Sequence, residues 1–151
     1  MEINNKKLIK IIDKDTIQNR VREIATELSN SFENKKPIFI GVLNGSFIFI
    51  SDLVRNLSIN CEVDFIKVSS YKGKNSMGTI KLLKDISADI TNRHIVIVED
   101  IIDSGLTIEF LVKRLNGASP KSISVVTLLL KPEIAKLSLP IDIIGFEIAP
   151  D

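Results

Sequence analysis

The stretch Ile95-Val96-Ile97-Val98-Glu99-Asp100-Ile101-Ile102-Asp103-Ser104-Gly105-Leu106-Thr107 constrains the fold of this chain more than any other. Ile95 to Val98 has no polar position. Such a strand is buried on both faces, as in a parallel sheet covered by helices. Three carboxylates, Glu99, Asp100 and Asp103, follow within five positions. They fall at the strand's carboxyl end, where open α/β sheets bind ligands. Ser104, Gly105 and Thr107 then open a helix and offer hydroxyls and close backbone N–H groups to an anion. A solvated loop with a helix cap would account for Ser104 or Thr107 alone. It would not account for three acids after so apolar a strand. Acids beside an anion cradle suit a molecule that is part sugar diol and part phosphate.

The remainder of the chain alternates helix and strand. Ile17, Val21, Ile24 and Leu28 recur at helical spacing and predict a helix over 16–32, with Asp15 as N-cap and Gln18 three residues on. A strand is expected over 37–43. A helix over 46–57 follows, with Ile50, Leu53, Val54 and Leu57 inward, and then a strand over 61–68. Residues 69–78 read as a polar loop, with a return strand over 79–83. Residues 95–98 form the central strand, 106–115 a helix stopped by Gly117, and 122–130 a further strand. A turn at Pro132 and a last apolar run over 141–148 complete the pattern. This order predicts an α/β fold, a mostly parallel central sheet flanked by helices. Right-handed crossovers would then gather 41–46, 69–79, 99–107 and Lys131 on one rim. No repeat or linker divides the chain, so residues 1–151 are expected to form a single domain.

A chain of 151 residues with 44% hydrophobic content supports one ordinary core. The net charge of +1 offers nothing to a polyanion or a membrane surface. No apolar run approaches the roughly 20 residues that span a bilayer. The first residues, Met1-Glu2-Ile3-Asn4-Asn5-Lys6-Lys7, lack a signal-peptide core. Cys61 is the only cysteine and sits in a strand-like run; it reads as a small buried hydrophobe and points to the cytoplasm. With no Trp and few aromatics, single-strand base stacking is poorly supported. Neither a nucleic acid nor a membrane is therefore expected as a partner. His94 has no second His or Cys beside it and reads as structural or exposed. No G-x-x-x-x-G-K-[ST] occurs, so the hydroxyl turn is not a nucleoside-triphosphate P-loop.

The acidic segment resembles the phosphoribosyl-pyrophosphate (PRPP) motif of the type I phosphoribosyltransferase family. Its Glu-Asp-Ile-Ile-Asp form is similar to the 6-oxopurine branch of that family. Matching pieces are Gly41-Val42-Leu43-Asn44-Gly45-Ser46, Ser69-Ser70-Tyr71, Leu128-Leu129-Leu130-Lys131 and Gly145-Phe146-Glu147-Ile148, so the likeness runs over residues 8–151. It implies the type I phosphoribosyltransferase fold and transfer of the 5-phosphoribosyl group from PRPP to hypoxanthine and guanine. The products are IMP or GMP and pyrophosphate, a purine-salvage reaction. Through an oxocarbenium-like transition state, electrostatic preorganisation is the main task.

Site roles follow from that resemblance. Asp103, Ser104, Gly105, Leu106 and Thr107 would hold the 5′-phosphate. Glu99 and Asp100 would take the ribose hydroxyls, directly or through Mg²⁺, the implied cofactor, with water between. Leu43, Asn44 and Gly45 would meet pyrophosphate with backbone N–H groups, and the Leu43–Asn44 peptide would be cis. Asp103 is assigned as general base on the purine; read alone it is equally a helix cap. Ser70 and Tyr71 match a loop over 69–79 that closes on the reacting centre as a catalytic lid, with Lys72, Lys74 and Lys81 adding positive charge. Its polarity alone fits an idle surface loop as well. Met77 carries no separate message. Lys131, otherwise a solvated strand-end lysine, would read the purine O6. A homodimer or homotetramer is also implied.

The chain departs from the family pattern at three places. Leu106 and Asn44 stand where members often carry a cation. Members also continue past Asp151 with a hood segment that stacks on the purine and helps hold a second Mg²⁺, so the hood is expected to be incomplete here. A chain without it is expected to keep its PRPP site but bind purine weakly and turn over slowly. Three rivals remain to be weighed. A non-enzymatic PRPP-binding regulator would need a nucleic-acid face that this charge does not supply. A receiver-type signalling domain would put its acid pair after the first strand. A xanthine-preferring enzyme differs only in the base-edge segment.

Overall fold

A computed structural model of the chain describes residues 2–71 and 79–150. Ile95, Val96, Ile97 and Val98 are all fully buried, which makes their strand the centre of the sheet. Side chains alternate across a strand. Ile95 and Ile97 accordingly enter one core, and Val96 and Val98 the other. A run with a single apolar face could not do this.

In chain order the elements are β1 (Glu2–Ile3), β2 (Lys6–Lys7), α1 (Lys14–Ser31), β3 (Ile38–Leu43), α2 (Phe47–Arg55), β4 (Glu62–Tyr71) and β5 (Thr79–Lys84). There follow β6 (His94–Ile102), α3 (Leu106–Asn116), β7 (Ser122–Leu130) and β8 (Ile143–Glu147). β1 and β2 form a small antiparallel hairpin, absent from the sequence-based expectation. The main sheet has the order β5-β4-β3-β6-β7-β8. All its neighbours are parallel except β4 and β5. The expected α/β class with a mostly parallel sheet is therefore what the chain forms. α1 and α2 contribute Val21, Ile24, Leu28, Ile50 and Leu53 to one core; α3 contributes Ile108, Leu111 and Leu115 to the other.

Most boundaries fall within two residues of expectation, and three differences have a clear physical reason. The α1 cap is Asp13, not Asp15: Asp13 Oδ1 accepts from Thr16 N–H at 2.8 Å, leaving Asp15 in the first turn, where its charge favours the helix dipole. β4 runs to Tyr71, so Ser69 and Ser70 sit in a strand rather than a loop; Ser70 pairs with Ile80 and Tyr71 with Thr79. A polar strand end is held here by a hairpin partner, not by apolar alternation. β6 continues through Glu99 and Asp100 to Ile102, because β7 pairs with it along that length, Glu99 against Thr127 and Ile102 against Leu130. The expectations for Lys72, Lys74, Met77 and the Tyr71 side chain lie outside the described residues. Among the described residues no helix is long and apolar enough to cross a membrane.

From β3 the chain moves outward through β4 to β5. It then returns to β6 beside β3 and proceeds the other way through β7 to β8. The carboxyl ends of β3 and β6 thus flank a topological switch point, where doubly wound sheets hold ligands.

Candidate functional site

A cleft of about 260 Å³ opens at that switch point. Its lining includes Leu43 and Gly45 after β3, Ser70 at the end of β4, Glu99 and Asp100 in β6, and Asp103, Ser104, Gly105 and Thr107 leading into α3. Nine of the expected site residues are thereby brought to one place. Asn44, Leu106 and Lys131 stand outside that lining, and Leu106 is half exposed. Apolar walls come from Val42, Val68, Ile101, Ile102 and Ile108. None of these was singled out from the sequence, since each also fits a plain core pattern.

Each wall has a local cause. The Leu43–Asn44 peptide is cis, as the family resemblance implies. Gly45 follows it with no side chain to spare: a Cβ there would lie 2.7 Å from Asp100 Cγ, against the carboxylate. The glycine turn and the acid are therefore fitted to one another across two parallel strands. Gly105 precedes α3 at φ +89°, a left-handed conformation that glycine accepts at little cost. The Ser104 hydroxyl takes the Leu106 N–H at 3.4 Å. The helix N-terminus, with its exposed N–H groups and positive dipole end, faces the cleft.

Glu99 is buried, and that burial is the main reason its carboxyl is pushed up to about 9. A hydrogen bond with Asp100 and the Asp100 charge push the same way. At neutral pH Glu99 is a neutral acid beside Asp100. Asp103 is exposed, and its Oδ2 lies 3.8 Å from Lys131 Nζ. Lys131 itself is only 5% exposed, so it is no solvated strand-end lysine. It follows β7 directly, and its N–H donates to Ile102 O at 3.0 Å, which ties it to the end of β6.

Among the described residues no group of three or more His, Cys, Asp and Glu could cage a metal. The Glu99–Asp100 pair is of another type. Hard carboxyl oxygens suit an ion such as Mg²⁺ that keeps waters and takes further oxygens from a phosphorylated substrate, and a cation bound there would draw the proton off Glu99.

The family model for the phosphoribosyl transferase domain matches residues 11–151. The chain belongs to the phosphoribosyltransferase family. This phosphoribosyltransferase is 44% identical over 144 residues to the hypoxanthine phosphoribosyltransferase of Buchnera aphidicola, covering 93% of this chain and 81% of the relative. It is 41% identical to the hypoxanthine-guanine phosphoribosyltransferase of Bacillus subtilis, over 93% of this chain and 78% of that one. A crystal structure of a hypoxanthine-guanine phosphoribosyltransferase from Bacillus anthracis superimposes with a TM-score of 0.89 at 40% identity, covering 95% and 85% of the two chains.

Other parts of the molecule fall outside this phosphoribosyltransferase site. His94 Nδ1 meets Ser122 Oγ at 2.6 Å and its ring stands edge-on to Phe32, a structural role. Cys61 is half-buried against the core, and burial raises its thiol.

Proposed function

We infer that this chain is a hypoxanthine phosphoribosyltransferase of purine salvage that also accepts guanine. The observation that carries the reading is the cleft itself. It joins an acid pair, a helix-terminal anion cradle and a lysine-paired aspartate within one switch-point crevice.

The 5′-phosphate of PRPP sits on the 104–107 turn. There the backbone N–H groups and the Ser104 and Thr107 hydroxyls donate to it, with no lysine needed at Leu106. Glu99 and Asp100 address the ribose 2′- and 3′-hydroxyls, and would hold Mg²⁺ through water. Bound Mg²⁺ supplies charge neutralisation to the departing pyrophosphate. Leu43, Asn44 and Gly45 offer backbone donors to that pyrophosphate. Lys131 donates to the purine O6; in adenine an amino group would meet it donor to donor, which favours hypoxanthine and guanine.

In the reaction a purine imidazole nitrogen bonds to C1 of the ribose as the C1–pyrophosphate bond breaks. Asp103 takes a proton from the purine imidazole ring as that bond forms. Its exposure in the cleft mouth leaves it within reach of an incoming base, and the nearby Lys131 fixes its side. Ser70 and Tyr71, at the end of β4, stand at the base of the segment that would exclude water from the ribosyl cation. A homodimer or homotetramer is the assembly the resemblance implies. Phe47 and Ile48, exposed at the start of α2, are apolar surface that such an assembly would cover.

The test is pyrophosphate release with PRPP·Mg²⁺ and hypoxanthine, guanine, xanthine or adenine, using wild type and Asp103→Asn. The reading expects turnover with hypoxanthine and guanine. It also expects the asparagine variant to lose at least about a hundredfold in kcat while still binding PRPP. Unchanged turnover would remove Asp103 from the base role. Preference for xanthine would move the enzyme to another salvage branch.

A further inference from the structure

The segment after β7 does more than carry Lys131. It is stitched at one end to the end of β6 and at the other to the anion cradle. Lys131 N–H donates to Ile102 O at 3.0 Å, and Lys136 N–H donates to Ser104 O at 3.2 Å. Leu137 lies on the bare face of Gly105, so close that a Cβ on the glycine would stand 3.1 Å from Leu137 Cγ. Glu109 closes the seam. Its Oε1 accepts from both Ser138 N–H and Ser138 Oγ, each at 3.0 Å.

Glu109 is the odd member of this set. A carboxylate in the first turn of α3 favours the helix dipole, but it opposes an anion bound at the same terminus. Its acceptor oxygen, not its charge, serves the site. It holds Ser138, and with Ser138 the whole return loop, against the helix that cradles the phosphate.

We propose that Glu109 and Leu137 are positioning residues that lock the 131–138 segment to the 104–107 turn. The base-reading ammonium is thereby held at a fixed distance from the 5′-phosphate site. This rests on the assignment of 104–107 to phosphate and of Lys131 to the base. Neither Glu109 nor Leu137 touches substrate. What they supply is the rigid spacing that lets one ligand engage both ends at once. A nucleoside 5′-monophosphate spans both ends and gains from fixed spacing, whereas ribose 5-phosphate uses only one end and gains nothing.

The experiment is calorimetric titration of IMP and of ribose 5-phosphate into the full chain. It is paired with the hypoxanthine KM at saturating PRPP, for wild type, Glu109→Ala, Glu109→Gln, Leu137→Ala and Leu137→Met. Both glutamate variants remove the charge, but only alanine removes the acceptor. Expected is a loss of about tenfold in IMP affinity and a matching rise in hypoxanthine KM for Glu109→Ala and Leu137→Ala. Ribose 5-phosphate affinity should stay within about twofold, and Glu109→Gln and Leu137→Met should behave as wild type. Equal losses for IMP and ribose 5-phosphate, no loss for either, or glutamine behaving as alanine would each overturn the proposal. A Ser104→Asp control, which sets a carboxylate in the cradle against any bound phosphate, separates the two layers. If that variant binds ribose 5-phosphate normally, the phosphate assignment fails and the positioning role fails with it. If it loses ribose 5-phosphate while Glu109→Ala and Leu137→Ala leave IMP unaffected, only the positioning role fails.

Discussion

Replacing Glu99 by Gln should change how stability depends on pH, by an amount the structure allows one to work out. The Glu99 carboxyl sits at about 9 in the folded chain, against 4.5 for a free side chain, chiefly because it is buried. The folded state therefore holds this proton more tightly than the unfolded state does. Its contribution is fully present below about pH 4.5 and is lost as pH rises through about 9. Between those limits the loss is about 1.4 kcal/mol per pH unit, so about 3 kcal/mol disappears between pH 6 and pH 8. An unfolding entropy of about 2 cal/mol/K per residue makes that a fall of about 9 °C in Tm for a chain of this length. Glutamine keeps the shape of the protonated acid and a donor for Asp100, but it cannot ionise. The assay is thermal unfolding by circular dichroism at pH 5, 6, 7, 8 and 9, at constant ionic strength and without Mg²⁺ or nucleotide. The two proteins should melt together at pH 5, and the variant should melt progressively later as pH rises. Parallel Tm curves across that range would show that Glu99 is not held neutral, and the electrostatic account of the cleft would be wrong.

Two further substitutions probe the geometry. Gly45→Ala drives a methyl into the Asp100 carboxylate, 2.7 Å from its Cγ, and should raise the KM for PRPP at least about tenfold, with a far smaller change in hypoxanthine KM; steady-state kinetics decide it. Lys131→Met keeps the buried stem but removes the ammonium that lies 3.8 Å from Asp103. It should raise the hypoxanthine KM about 10- to 100-fold while ribose 5-phosphate binding, followed by calorimetry, stays within about twofold.

The sheet was legible in the sequence because its central strands have no polar face to hide. Ile95 to Val98 could be buried only between two layers, and that one inference orders the rest of the fold. The candidate site was legible where chemistry is written in consecutive residues, as in Glu99 to Thr107. It was illegible where it depends on partners far along the chain. Nothing in the sequence says that β6 runs on through its acids, because that length is set by pairing with β7. Nothing local distinguishes Asp13 from Asp15 as a cap. The fit of Gly45 to Asp100 joins positions more than fifty residues apart. Glu109 reads from its position as a helix-dipole acid, and Leu137 as a loop hydrophobe. Only the packed structure sets one on Ser138 and the other on Gly105.

Three carboxylates in five positions look hostile to PRPP, a multiply charged anion. The folded cleft removes most of that conflict before any substrate arrives. Burial and Asp100 keep Glu99 neutral. Lys131 stands against Asp103. Of the three acids in the motif, that leaves Asp100, which lines the cleft and has no cation against it among the described ion pairs. It lines the same cleft as the α3 N-terminus, whose dipole end is positive. The acids can therefore serve as hydrogen-bond partners for a diol without raising a field that repels the phosphate a few ångströms away. On the proposed assignment this also accounts for a turn with leucine at 106. On the proposed assignment, a cradle beside which one acid is neutral and another is paired needs its amides, not a second lysine, to hold an anion.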